Sequence, residues 1–94
     1  MPQIILECSH NVIESELSTL FGEIHQLLTE RLPTQLESCK TRVIKHRDYY
    51  IGDGNANNAF VHLSIGVIKG RSKELLESIA SVIMEKLKIA FSQS

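Results

Sequence analysis

Ninety-four residues, 43% hydrophobic and 22% charged, describe one small soluble globular domain rather than a multidomain, fibrous or disordered chain. A domain of this size buries only about 60–65% of its unfolded surface, so association with further copies is the natural remedy for marginal stability. Ten Lys plus Arg against eleven Asp plus Glu, a net charge of −1, exclude the footprint of a nucleic-acid binder and require any anion site to be local.

The chain opens with no basic leader, and no run approaches the roughly 18 apolar residues of a membrane span, so a cytoplasmic protein without membrane partners is expected. Residues 3–8, Gln-Ile-Ile-Leu-Glu-Cys, are rich in branched apolar side chains between Pro2 and the polar Ser9-His10-Asn11, and predict a strand. Ile13, Leu17, Leu20, Phe21, Ile24, Leu27 and Leu28 then recur at steps of three and four, the stripe of an amphipathic helix ending near Arg31. Asn11 with Glu14 reads as its N-terminal capping box, and Pro33 lies just past its last turn.

Residues 40–47, Lys-Thr-Arg-Val-Ile-Lys-His-Arg, predict a polar strand, and Gly52-Asp53-Gly54-Asn55 predicts a loop. In residues 59–67, Val61, Leu63, Ile65 and Val67 alternate with Phe60, His62, Ser64 and Gly66, as a strand with one buried face requires. Ser72 is placed to cap a second helix with apolar positions Leu75, Leu76, Ile79, Ile83, Leu87 and Phe91. The order is strand, helix, strand, strand, helix, with the two strand–helix units offset by about sixty residues as a weak repeat. This predicts an α/β sandwich of the split βαβ kind, with both helices on one face of a small sheet. The opposite face is expected to carry β-branched and aliphatic residues and to be buried between subunits.

Cys8 and Cys39 lack metal-ligand spacing and are expected to be packing thiols in a reducing compartment. His10, His25, His46 and His62 contain no close metal pair, and neither glycine-rich nucleotide motif occurs, so no metal and no cofactor are expected.

Three features can carry chemistry. Pro2 becomes a terminal secondary amine if Met1 is removed; an α-amino group titrates at about 7.7–8.0, and burial or nearby cations lower that toward the range useful for a base. Many chains, however, carry Pro2 with no catalytic role. Gly70-Arg71-Ser72 joins a strand to a helix N-terminus, where Arg71 either grips a carboxylate bidentately or is simply solvated. Lys40 and Arg42 share one strand face about 7 Å apart, as an anion-binding pair or as charges guarding an exposed edge. Tyr49 and Tyr50 offer an aromatic wall or plain packing.

Together these residues resemble the 5-carboxymethyl-2-hydroxymuconate delta-isomerase family of the tautomerase superfamily. The likeness rests on the Pro2 strand ending in Glu7-Cys8-Ser9, on Arg42-Val43, Asp53-Gly54, Ala59-Phe60-Val61-His62 and Gly70-Arg71-Ser72, in order along essentially all 94 residues. It implies one tautomerase-like domain over 1–94, a homotrimer, and a cofactor-independent isomerase that ketonises a carboxylated dienol. It further implies Pro2 as the catalytic base, with Arg71, Lys40 and Arg42 binding the small-molecule carboxylate substrate. Two departures stand out. Lys40 occupies one position of the family's Arg-x-Arg, keeping the charge without the planar fork. Family members also continue into a further strand beyond Gln93-Ser94. A phenylpyruvate-type keto–enol tautomerase and a non-catalytic trimeric anion-binding module are the alternative functions.

Overall fold

The computed structural model describes residues 2–12, 17–67 and 70–92 of the chain. Strand β1 (Gln3–Ser9) is followed by helix α1 (Leu17–Arg31), a 3-10 turn (Leu36–Ser38), strands β2 (Lys40–His46) and β3 (Val61–Gly66), and helix α2 (Lys73–Ala90). All five elements expected from the sequence lie where it put them, to within a few residues. The proposed capping box of α1 involves residues outside those described. Asn11 itself is engaged elsewhere: its Nδ2 donates to the carbonyls of Ala56 and Asn58, pinning the 51–58 loop beside the end of β1. Ser72 does cap α2, its Oγ accepting from the Leu75 N–H at 3.1 Å.

The sheet order is β2-β1-β3, with β1 parallel to β2 and antiparallel to β3. β1 is the central strand, and alternation gives it two unlike faces. Ile4, Leu6 and Cys8 are fully buried and meet Leu20, Ile24, Leu27 and Leu28 of α1 and Ile79 and Ile83 of α2 in one core. Each such aliphatic side chain contributes about 1.5–3 kcal/mol relative to exposure. His25 of α1 adds a polar tie to the sheet, its Nε2 lying 2.6 Å from Thr41 Oγ1.

The opposite face departs from expectation. Register puts Gln3, Ile5, Glu7 and Ser9 beside Lys40, Arg42, Ile44 and His46 on one flank and beside Gly66, Ser64 and His62 on the other. This face is mainly polar, because the strands spend their aliphatic positions on the helix side and leave Ile5 and Ile44 as its only β-branched aliphatics within the strands. An apolar open face, expected to be buried between subunits, is therefore not what the chain presents.

Two helices packed 8–10 Å apart form a layer wider than three strands spaced about 4.8 Å. The excess lies beside the outer edge of β3, where a cavity of about 370 Å³ is lined by Val61, Leu63, Ile83, Met84, Leu87 and Phe91. Leu76, expected within the buried stripe of α2, is 37% exposed and lines an adjoining cavity of about 200 Å³.

Leu6 lies at the centre of the core, so Leu6→Ala is expected to lower stability by about 2–5 kcal/mol. Urea unfolding should record this as a lower midpoint with an unchanged slope; a loss below 1 kcal/mol would mean that the site collapses freely around the missing atoms.

Candidate active site

Strand polarity decides which residues share an end of the sheet. β1 and β2 both begin where β3 finishes, since Gln3 is level with Lys40 on one side and Gly66 on the other. Pro2 immediately precedes β1, Lys40 opens β2, and the connection bearing Arg71 leaves β3, all at that end. Pro2 is buried. Having no N–H, it joins the ladder through its carbonyl, which accepts from the Lys40 N–H at 3.3 Å.

Lys40 and Arg42 are exposed on the open face, as the alternation predicts. The backbone of Arg42 is level with Ile5, but its Nη1 donates to Gln3 Oε1 at 2.7 Å, so the guanidinium leans back toward the start of the strand. Gln3 carries no signal of its own in the sequence; alternation could have placed it on the same face as Arg42, but not within its reach.

Arg71 reaches this end by chain connection, rather than by contact with the other cations. Gly70, at φ +108°, makes the turn that feeds Arg71 into the N-terminus of α2 just ahead of the Ser72 cap. The side chain is half-buried, and its Nε is shielded from solvent with no hydrogen-bond partner among the described residues. Such an orphaned donor costs about 1–3 kcal/mol, a penalty removed only when the guanidinium turns to bring Nε to a carboxylate oxygen. Among the described residues, no carboxylate pairs with Lys40, Arg42 or Arg71. Just before Lys40, burial pushes the Cys39 thiol above its ordinary range, against the opposing pull of the amino-terminal and Lys40 positive charges. Neither Cys39 nor Cys8 is in a disulfide.

The tyrosines lie elsewhere. Tyr49 follows the far end of β2, about 20 Å along the sheet, where its hydroxyl meets His10 Nδ1 at 3.1 Å and its ring meets Phe60 edge-on. Tyr50 is 80% exposed and covers Gly54, where an added Cβ would fall 2.5 Å from its ring. The Asp53-Gly54 segment is a structural loop. Asp53 Oδ1 accepts from the Asn55 N–H and from Asn58 Nδ2, which hold its carboxyl below the usual range. The same far end holds a hydrogen-bond contact that sequence reasoning missed, Glu7 Oε1 to His46 Nε2 at 2.9 Å.

The sequence profile of the 5-carboxymethyl-2-hydroxymuconate isomerase family matches residues 2–94. The chain belongs to that family. It is thus an isomerase by family, and its three-stranded sheet with two helices is the tautomerase fold. A 5-carboxymethyl-2-hydroxymuconate Delta-isomerase of Escherichia coli is 29% identical over 93 residues, covering 98% of this chain and 74% of that protein. A crystal structure of a 5-carboxymethyl-2-hydroxymuconate isomerase from Deinococcus radiodurans R1 superimposes with a TM-score of 0.86 at 24% identity, covering 98% of this chain and 70% of the other. A fused 4-OT wild type symmetric trimer shares the fold at a TM-score of 0.77 and 13% identity, over 97% of this chain and 75% of its own. Among the described residues, no helix is long and apolar enough to cross a membrane.

Because Arg71 Nε has no partner among the described residues, Arg71→Met, which keeps the stem packing, is expected to unfold within about 1 kcal/mol of wild type. Equilibrium denaturation checks this, and a larger loss would reveal a structural partner for the guanidinium.

Proposed function

We propose that this isomerase ketonises an unsaturated, multiply carboxylated 2-hydroxy acid of the 5-carboxymethyl-2-hydroxymuconate type. Pro2, freed by removal of Met1, is the base. Its ring nitrogen takes the proton of the dienol hydroxyl and returns it to a carbon of the conjugated chain, while the C–O bond becomes a carbonyl. One proton leaves oxygen and one arrives at carbon, so the step is balanced without a cofactor. The observation that carries this reading is the gathering of Pro2, Lys40, Arg42 and the Arg71 connection at one sheet end, with no carboxylate partner among the described residues.

Each residue has a role that follows from its chemistry. Arg71, with an unsatisfied Nε at a helix N-terminus, grips one carboxylate. Arg42 supplies a second fork, and Lys40 a point charge that is less exacting about geometry than the arginine of the family pattern. The same cations disfavour protonation of a buried amine, which lowers its pKa toward neutrality. Residues 1–94 act as a single domain in the cytoplasm, where two thiols outside any disulfide are at home.

With Met1 retained, the Pro2 nitrogen is a tertiary amide without a basic lone pair, and the same end of the sheet can only bind anions. A comparison of wild type, Pro2→Ala and a form with Met1 held on, each N-terminus checked by mass, separates the two functions. The processed enzyme should gain rate with rising pH through an apparent pKa below the ordinary α-amino range of about 7.7–8.0. Pro2→Ala, with a primary amine nearby, should keep a fraction of that rate, and the Met1-bearing form should lose about 10²–10⁴-fold. Equal activity with and without Met1 refutes the proline base and leaves the anion-binding module.

The assembly we propose is a homotrimer, supported by the symmetric trimer with which the chain shares its fold. Light scattering should return three times the 10.6 kDa chain mass. A monomer or dimer mass would overturn it.

A further inference from the structure

We propose that Gln3 is a positioning residue that sets the charge and direction of Arg42, and through it the preference for substrates with several carboxylates. This inference rests on reading the Pro2 end of the sheet as a carboxylate site.

Arg42 stands level with Ile5, so on the open face its nearest polar neighbours along β1 are Gln3, two residues toward Pro2, and Glu7, two residues away from it. A long, exposed arginine reaches either one. The two directions have opposite consequences. Toward Glu7, the guanidinium would form an ion pair, lose its net charge and lie about 13 Å along the strand from Gln3. Toward Gln3, it keeps its charge and arrives level with Lys40, beside Pro2.

The structure has the second arrangement. Gln3 Oε1 accepts from Arg42 Nη1 at 2.7 Å, while Glu7 Oε1 is engaged by His46 Nε2 at 2.9 Å. A neutral amide is the chemistry this task calls for. It holds one guanidinium N–H and so fixes the fork, but it withdraws no charge, leaving the remaining donors for a carboxylate. A carboxylate in its place would hold the fork equally well and neutralise it. Direction and charge are therefore separable by mutation.

The test uses wild type, Gln3→Ala, Gln3→Glu, Arg42→Ala and the double variant Gln3→Ala/Arg42→Ala. Turnover is measured on a tricarboxylated and a monocarboxylated dienol, and guanidinium signals are followed by 15N NMR. Gln3→Ala should raise KM for the tricarboxylated substrate about five- to tenfold, with a smaller change in kcat and a smaller rise on the monocarboxylate. Gln3→Glu should raise that KM further, although it retains a hydrogen-bond acceptor. In the Arg42→Ala background, Gln3→Ala should add nothing, the signature of one residue acting through the other. The slow-rotating Arg42 guanidinium signal of wild type should average out in Gln3→Ala.

The proposal is overturned if Gln3→Ala costs the same factor with and without Arg42, or if the Arg42 signal is unchanged in that variant. Should wild type turn over neither dienol, the isomerase reading of the site fails instead. Citrate, used as a tricarboxylate probe in titration calorimetry, then reads the Gln3–Arg42 coupling directly, and equal citrate affinity in wild type and Gln3→Ala would sink it.

Discussion

β1 is hydrogen-bonded on both sides, and the two registers it enforces govern the polar face of the sheet. Its even-numbered side chains are locked into the helix layer by Ile4, Leu6 and Cys8, which are fully buried. A slip of one residue against β2 would carry Thr41, Val43 and Lys45 to the open face and drive Lys40 and Arg42 toward the core. Burying two unpaired cations costs far more than the side-chain burial gained. The core therefore specifies the site indirectly, by making other placements of its charges prohibitively costly.

A chain of net charge −1 collects cations at one end of its sheet and, among the described residues, sets no carboxylate against Lys40, Arg42 or Arg71. Acids are not scarce. Glu7 shares a face with Arg42 but is engaged by His46, and the other recorded pairs, Lys73–Glu77, Lys86–Glu23 and Lys88–Glu85, all involve the helices. Mutual repulsion at the sheet end is tolerable because Lys40 and Arg42 are exposed, where solvent screens them. Arg71 is the exception, half-buried with one donor unmet among the described residues.

Much of this was legible from residue order. A period of 3.6 located both helices, β-branched content located β1 and β2, and the alternation Val61, Leu63, Ile65 against His62 and Ser64 located β3 and its core-facing side. The spacing of Lys40 and Arg42 likewise foretold a shared face. What periodicity does not contain is register. Nothing in the sequence says that Gln3 stands opposite Lys40, and hence that it can take an N–H from Arg42, or that Glu7 and His46 meet. The expectation of an apolar open face failed for a related reason: register assigns most of the strands' aliphatic residues to the helix side and leaves Ile5 and Ile44 on the other. Tyr49 and Tyr50, adjacent to a cationic strand in sequence, lie at its far end because seven extended residues separate its start from its finish.

Pro2 takes part in the sheet through its carbonyl alone. A tertiary amide nitrogen and a secondary amine differ completely as bases, yet neither offers an N–H that this ladder uses. Exchanging one for the other at the start of β1 therefore leaves the strand pairing intact. If the amino terminus is trimmed as proposed, maturation is invisible to the fold: an unprocessed chain would assemble, resist heat and present its cations as the processed one does, while being chemically inert. Folding and activation are then separately controlled, and a preparation of this protein can be perfectly native and wholly silent.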